Sequence, residues 1–273
     1  MKSIMVATDF SVRSDRALRR AVILSKQCAA TLSLVHVVDD DQPKRIVDAE
    51  HAIAAQLLAE QAATLRDIDG IACTTRVVSG PSFAGIVRET EESKPDLLVL
   101  GPHRRQALRD VFVGTTAERT IRSVSRPALM ANATPVGPYR HVLLTTDMSD
   151  ASRHAVESFL TLDFARNARS SILHVFDAPA MRPAMADSMP RNQREQILQD
   201  EREGAEAELS AFVAALKTRP MAQTVRHESA TIANEILAAA REIDADLIVV
   251  GTRGRGGDSP SSFSAALPRK PWA

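Results

Sequence analysis

The sequence predicts an α/β protein made of two tandem open parallel sheets of five strands, each flanked by helices, with the last strand of the second copy missing. Three observations support this fold class: a repeated strand-end motif, short apolar runs that alternate with amphipathic segments, and a carboxyl-terminal tail without strand periodicity. With 273 residues and 44% apolar content, the chain can form a sizeable core in two domains of ordinary size.

The repeat is visible in two pairs of segments. Residues 4–11 read IMVATDFS, and residues 142–149 read VLLTTDMS, 138 positions later (147 − 9 for the two aspartates). The segments PDLLVLG and ADLIVVG, which end at Gly101 and Gly251, are 150 positions apart, so the second copy carries 12 extra residues (150 − 138). We place these in the Pro- and Met-rich stretch at 177–190 and in the helix after it.

The repeat divides the chain into two predicted domains. The first covers residues 1–133 and the second covers residues 139–273, with a Pro/Gly linker at 134–138. Strands and helices alternate within the first copy, which indicates a parallel sheet covered on both faces. The strands are expected at 3–8, 31–38, 71–78, 96–100 and 127–131, and the helices at 13–29 (capped by Ser11), 43–67, 81–93 and 115–124.

The end of the second copy departs from the repeat. Only 23 residues run from Gly251 to the end of the sequence, and from about residue 256 they are rich in Pro and Ser. A frameshifted or truncated reading frame would produce such a tail, and so would genuine divergence. Without a fifth strand of its own, the second copy is expected to leave the edge at 127–131 uncovered, which favours a homodimer or poor solubility.

Composition excludes several classes of protein. The 34 basic and 34 acidic residues balance, which gives no overall attraction for nucleic acid or for an anionic membrane. The two cysteines, Cys28 and Cys73, are expected to be small buried residues in a reduced setting. There is no apolar stretch of signal-peptide or membrane-span length, so we expect a cytoplasmic protein.

A ligand-binding site is expected at the carboxyl ends of the first-copy strands, because open parallel sheets bind ligands there. Asp9 follows the first strand, and Gly101 ends the fourth. The loop continues as Gly101-Pro102-His103-Arg104, then nine residues, then Gly114-Thr115-Thr116 at the start of a helix. Glycine allows backbone N–H groups to approach a phosphate, a helix N-terminus adds unpaired donors, and His103 is expected near the phosphate. No metal-ligand spacing is present around it.

The strand end at Asp9, the Leu34–Val37 segment and the glycine loop resemble the universal stress protein (UspA-like) family in its tandem form. The resemblance implies the strand order 3-2-1-4-5. It also implies ATP binding through a G-x2-G-x9-G-[S/T] loop, whereas another branch of the family lacks the loop and binds no nucleotide. The resemblance assigns Asp9 to the ribose side, Val37 to main-chain contacts with the adenine, and Gly101, Gly114, Thr115 and Thr116 to ribose and phosphates. Ala7, His103 and Arg104 are further candidates for the nucleotide site.

One position departs from that pattern. Arg104 stands where the second glycine belongs, and its side chain could either crowd the phosphate path or pair with phosphate directly. The structural alternative to ligand binding for Asp9 and Asp147 is that each side chain caps the turn that follows it. His36 and His174, inside the second strand of each copy, are interpreted as core histidines hydrogen-bonded to the backbone.

The leading hypothesis is a non-enzymatic stress-response regulator that binds ATP in the first domain and acts through an unidentified protein partner. The chain has no Walker lysine after the glycine loop and no nucleophile–base constellation that can be placed together. The alternatives are a nucleotide-free interaction and dimerisation module of the same family and, less favoured, a weak ATPase.

Overall fold

The computed structural model of this protein describes residues 1–102, 116–181, 189–216, 218–229 and 231–251, together with the backbone of residues 263–266. Within these residues, the first copy forms five strands and four α-helices. They are β1 (Ser3–Ala7), α1 (Val12–Cys28), β2 (Thr31–Val38), α2 (Lys44–Thr64), β3 (Cys73–Ser79), α3 (Ser82–Ser93), β4 (Leu97–Leu100), α4 (Thr116–Ser123) and β5 (Ala128–Met130). A π-helical turn, Leu65–Asp69, extends α2 beyond its last α-helical residue.

The second copy repeats the same order of elements up to its fourth strand. They are β6 (His141–Thr146), α5 (Asp150–Thr161), β7 (Arg169–Phe176), α6 (Arg191–Ala215), β8 (Ala222–His227), α7 (Ile232–Glu242) and β9 (Leu247–Gly251), with a short 3₁₀ turn at Pro179–Met181. The connection from β7 to α6 spans residues 177–190, whereas β2 and α2 are joined by residues 39–43. Most of the extra length of the second copy therefore lies where the sequence predicts it.

The predicted fold class is confirmed. The strands of the first copy pair in parallel in the order β3-β2-β1-β4-β5, and those of the second copy pair in parallel in the order β8-β7-β6-β9. The central strands are buried on both faces, as in β1, where Met5 and Val6 have no exposed surface. This explains why the strands appear in the sequence as continuous apolar runs.

One expectation about the tail is wrong. Residues Phe263–Ala266 form a short strand, β10, between β5 and β9, and it joins the two parallel sheets into one sheet of ten strands. The edge at 127–131 is therefore covered, since Leu129 of β5 is in register with Ala265. Local periodicity could not predict this strand, because its four residues gain their ladder partners only once β5 and β9 are folded.

The direction of β10 shows that it is not the missing fifth strand of the second copy. In the first copy, β5 runs parallel to β4, whereas β10 runs antiparallel to β9, with Ala265 opposite Val249. Among the described residues, no strand pairs with β9 in parallel at the position where β5 pairs with β4. The prediction that this copy lacks its last strand is thus confirmed, and the tail occupies the same place in the opposite direction.

Helix α1 forms as its sequence predicts. The Ser11 hydroxyl accepts a hydrogen bond from the Ser14 backbone N–H at 3.4 Å and caps the first turn. The apolar face expected to pack on the sheet is buried, and it comprises Ala17, Leu18, Ala21, Val22 and Leu24. Cys28, the last residue of the helix, and Cys73 at the start of β3 are half-buried rather than fully buried, and both pack against the core.

One cluster of buried apolar residues contains side chains of both copies, and Arg20 of α1 reaches across their junction. Its guanidinium donates a hydrogen bond to the Gly137 carbonyl oxygen at 2.7 Å and stacks 4.1 Å from the ring centroid of Tyr139. Both Arg20 and Tyr139 are only 4% exposed. The amino-terminal copy therefore holds the connecting segment directly.

Over the residues described, no helix is both long and apolar enough to cross a bilayer.

Candidate functional site at the carboxyl ends of the first-copy strands

A cleft of about 250 Å³ opens where β1, β2 and β4 end. Such a crevice at the carboxyl ends of parallel strands is the usual ligand position in doubly wound folds. We call it the first cleft. Its described lining consists of Ala7, Thr8, Asp9, Arg13, Ser14, Val35, His36, Val37, Ser82, Ile86, Leu100, Gly101, Pro102, Thr116 and Ala117.

Five of the nine residues predicted for nucleotide binding line this one cleft. They come from four parts of the fold: Ala7 and Asp9 from the end of β1, Val37 from β2, Gly101 from the end of β4, and Thr116 from the first position of α4. The other four, His103, Arg104, Gly114 and Thr115, lie outside the described residues.

Asp9 lies in a tight turn and also faces the cleft. One of its carboxylate oxygens accepts the Ser11 backbone N–H at 3.0 Å, and the other is 3.9 Å from the guanidinium of Arg13. Burial by itself raises the pKa of Asp9, but the hydrogen bonds from Ser11 and the charge of Arg13 outweigh it, so that the pKa is lowered. Asp9 therefore caps the turn, and it also presents an ionised carboxylate to the cleft.

The turn after β1 is fixed by hydroxyl groups. Phe10 has a φ of 58°, and its backbone N–H donates to the Thr8 hydroxyl at 3.0 Å. The same Thr8 hydroxyl donates to Ser14 at 3.1 Å, and the Ser14 hydroxyl donates to the Ser11 carbonyl oxygen at 2.9 Å. A φ in this region is strained for a residue with a side chain, so this network stabilises the position of Asp9.

His36 supports the turn from the neighbouring strand. Its Nδ1 is 2.8 Å from the Thr8 carbonyl oxygen, and its ring lies 4.4 Å from the ring of Phe10. His174 makes the same bond to Thr146, at 2.9 Å, in the second copy. The predicted backbone bond of both histidines is confirmed, although both side chains are half-buried and His36 also lines the cleft.

Gly101 has a packing role that the motif alone does not reveal. A Cβ atom at this position would lie 2.7 Å from the Arg13 carbonyl oxygen and 3.0 Å from the Ser14 backbone nitrogen. Such contacts with rigid backbone are too short for a side chain. A glycine is therefore required for β4 to pack against the start of α1, which sets the width of the cleft.

A second close approach determines the opposite wall. A Cβ atom on Gly85 of α3 would lie 2.6 Å from a methyl group of Val37 on β2. This glycine lets α3 pack closely on β2 and places Ser82 and Ile86 of the same helix at the cleft. The sequence analysis did not single out Gly85, because a glycine within a helical pattern usually indicates only a weak helix former.

Ten of the fifteen described lining residues were not predicted for the site, among them Arg13, Ser82 and Ile86. Arg13 had an available signal, because it lies one helical turn after Asp9 at the start of a predicted helix. Ser82 and Ile86 had none, because only the packing of α3 on β2 directs them to the cleft. Within the described ranges, no group of three or more His, Cys, Asp or Glu side chains is arranged to hold a metal ion.

The sequence profile of the universal stress protein family matches residues 1–132 and again residues 138–263. A universal stress protein of Methanocaldococcus jannaschii is 22% identical over 151 residues, which cover 47% of this chain and 93% of the relative. A second universal stress protein of that organism is 28% identical over 138 residues, which cover 47% of this chain and 81% of the relative.

The fold extends this likeness to the full length of the chain. The crystal structure of a universal stress protein from Archaeoglobus fulgidus covers 98% of both chains with a TM-score of 0.64 and 18% sequence identity. A structure from Pseudomonas aeruginosa, described as a protein of unknown function, covers 98% of this chain and 92% of its own with a TM-score of 0.60 and 18% identity. With two profile matches that together span most of its residues, this chain belongs to the universal stress protein family.

Proposed function

We propose that the first cleft binds an adenine nucleotide, ATP, and that the protein is a non-enzymatic regulator of the stress response in the cytoplasm. In this proposal, nucleotide occupancy changes the surface that a protein partner recognises. The observation that carries the proposal is that Asp9, Val37, Gly101 and Thr116, which the family resemblance assigns to one site, line one cleft. The Arg13 guanidinium lies in the same cleft.

The cleft has separate apolar and polar lining groups, which match the base and the ribose of a nucleoside. Val35, Val37, Ile86 and Leu100 provide aliphatic surface for a flat base. The Asp9 carboxylate can accept hydrogen bonds from ribose hydroxyls, which are charge-assisted and stronger than neutral ones. Hydrogen bonds to charged groups contribute about 1.5 to 3 kcal/mol each.

The phosphate side is provided by Arg13, Gly101 and Thr116. The Arg13 guanidinium is a fork of donors suited to phosphate oxygens. Thr116 begins α4, whose first backbone N–H groups have no partner within the helix and whose dipole favours an anion. A volume of about 250 Å³ is close to the lower limit for small-molecule sites, about 300 Å³, so the cleft fits the nucleoside and the phosphates extend beyond it.

The proposal is tested by calorimetric titration of the full chain with ATP, alongside the Asp9→Asn variant. The asparagine keeps an oxygen to cap the turn but removes the charge, so ATP affinity is expected to fall about tenfold or more. Asp147→Asn, the same change in the second copy, is the matched control and should leave binding in the first cleft unchanged. Absence of binding at millimolar ATP, in protein shown to be folded, contradicts the proposal.

The non-enzymatic part is tested separately by phosphate release. The full chain with ATP and Mg²⁺ is expected to release no more phosphate than a heat-inactivated sample. Release above that background which is lost in Asp9→Asn would favour the ATPase alternative over a purely regulatory role.

A further inference from the structure

A second cleft, of about 340 Å³, opens at the carboxyl ends of β6, β7 and β9. It occupies the same place in the second copy as the first cleft does in the first. Its described lining consists of Thr145, Thr146, Asp147, Ser152, Leu173, Val175, Ile232, Ile236, Val250 and Gly251. All ten positions correspond by the 138- or 150-residue offset to residues that line the first cleft.

The turn that frames the second cleft is built like the first. Asp147 accepts the Ser149 backbone N–H at 3.0 Å, and the Thr146 and Ser152 hydroxyls are 2.8 Å apart. Met148 has a φ of 61°, close to the 58° of Phe10 in the first copy. The two clefts therefore differ through their side chains rather than through the path of the strand-end turn.

Two of those side chains change the character of the cleft. The position of Arg13 is taken by Ala151, and the position of Ser82 is taken by Ile232. Ile232 is 51% exposed and adds apolar surface at the mouth of the cleft. Together with Leu173, Val175, Ile236 and Val250 it forms an aliphatic wall.

The hydroxyl groups of the second cleft are engaged with the protein itself. Thr145 donates to the Val249 carbonyl oxygen at 3.0 Å, and the Thr146 hydroxyl bonds Ser152 as well as accepting the Met148 backbone N–H at 2.9 Å. The Asp147 carboxylate is the one charged group among the described lining residues. The cleft therefore offers aliphatic surface and a single anionic acceptor.

This distribution of charge disfavours a phosphate. In the first cleft Arg13 lies 3.9 Å from the Asp9 carboxylate and offsets its charge, whereas no described lining residue of the second cleft does the same for Asp147. An anion placed near Asp147 is repelled, and the repulsion is stronger at a partly buried site than in bulk water. A ligand without charge is not repelled by Asp147. A planar ring on such a ligand can pack against the aliphatic wall, and its hydroxyl groups can donate hydrogen bonds to the Asp147 carboxylate.

We propose that the second cleft is a binding site for an uncharged nucleoside and that it discriminates against the phosphorylated form, in contrast to the first cleft. The choice of a nucleoside rests on the function proposed for the first cleft, since the two share one frame. The selectivity rests on the replacement of Arg13 and Ser82 by Ala151 and Ile232. The chain would then carry two sites that report on different members of one metabolite class.

The test is methyl NMR of the full chain with ¹³C-labelled isoleucine δ1 groups, titrated separately with adenosine and with ATP. Ile86 reports on the first cleft, while Ile232 and Ile236 report on the second, and Ile→Val variants assign the signals. Adenosine is expected to shift Ile232 and Ile236 at a concentration at least about tenfold lower than ATP, which corresponds to about 1.4 kcal/mol. Because the reporters differ, failure of ATP to shift Ile86 contradicts the function of the first cleft alone.

Variants test the cause of the selectivity. Ala151→Arg with Ile232→Ser gives the second cleft the residues of the first, and ATP is then expected to shift Ile236 at least as readily as adenosine does. The inference is overturned if millimolar adenosine leaves Ile232 and Ile236 unmoved. It is also overturned if ATP shifts them at an equal or lower concentration, or if the double variant keeps the original preference.

Discussion

Gly101 and Arg13 are packed so closely that a Cβ atom on the glycine would lie 2.7 Å from the arginine carbonyl oxygen. This contact joins the end of β4 to the first turn of α1, and both segments line the first cleft. The equivalent glycine, Gly251, has more room, since its nearest atom would be 3.6 Å away. The same residue type in the same motif therefore meets a different steric demand in each copy.

The first prediction compares alanine at these two glycines. Gly101→Ala forces β4 and α1 apart and is expected to lower the free energy of unfolding by about 1 to 3 kcal/mol, as overpacking does. Gly251→Ala makes ordinary contacts and should change it by no more than about 0.5 kcal/mol. Urea denaturation followed by circular dichroism measures both, and equal effects would contradict the packing explanation.

The second prediction concerns acid stability through Asp9. Hydrogen bonds from Ser11 and the Arg13 charge outweigh burial, so the folded-state pKa of Asp9 lies below the unfolded value of about 3.9. Its contribution to stability is present above the unfolded pKa and is lost as the pH falls through the folded pKa. The stability difference between the wild type and Asp9→Asn should therefore be largest near neutrality and shrink below about pH 4.

Urea unfolding at several pH values measures this difference. Asp147→Asn should behave in the same way, because burial of that carboxyl is likewise outweighed by the Ser149 hydrogen bonds, which lower its pKa. A difference that grows as the pH falls would show that the sign of the Asp9 shift is wrong.

The third prediction concerns the junction between the copies. Arg20→Ala removes both the stacking on Tyr139 and the hydrogen bond to the Gly137 carbonyl oxygen, and it should cost roughly 2 kcal/mol of stability. Tyr139→Phe is the matched control. The Tyr139 hydroxyl is buried and has no hydrogen-bond partner in the described structure, so its removal should be neutral or slightly stabilising. Thermal unfolding of the two variants distinguishes loss of the arginine contacts from general damage to the core.

The fourth prediction concerns β10. A chain that stops after residue 262 lacks this strand and leaves the facing edges of β5 and β9 without their ladder partners. Exposed strand edges pair with other chains, so this variant is expected to self-associate at tens of micromolar in light scattering. A chain that stops after residue 266 retains β10 and is the control. If both truncated chains scatter alike, β10 does not protect these edges.

The same strand changes the basis for the expected homodimer. That expectation depended on an open edge at 127–131, and this edge is paired with β10 in the structure. Dimerisation of the full chain through another surface stays a prediction, and light scattering of the untruncated protein in the same experiment measures it.

Local patterns were sufficient to predict most of the secondary structure. The bounds of β2 agree with those expected, and α1 starts within one residue of the expected position, directly after its Ser11 cap. Both were predictable because an apolar strand run and a helix cap are local features of the sequence. The repeat then transferred the same order of elements to the second copy. The turn bond of Asp9 was also predictable, because this residue follows a strand end. The backbone bond of His36 was predictable from its position inside the apolar second strand.

Other features were decided only by packing across the sheet. Ser82 and Ile86 line the first cleft because Gly85 lets α3 approach Val37, and no local signal connects α3 with β2. The direction of β10 depends on two strands far away in sequence, since it gains its ladder from β5 and β9 together. The sequence alone determined the repeated α/β fold and the place of the strand-end site, because hydrophobic period and turn chemistry are local. The width of the clefts and the joining of the two sheets through β10 were decided by tertiary structure, because each depends on distances between segments that meet only in the folded chain.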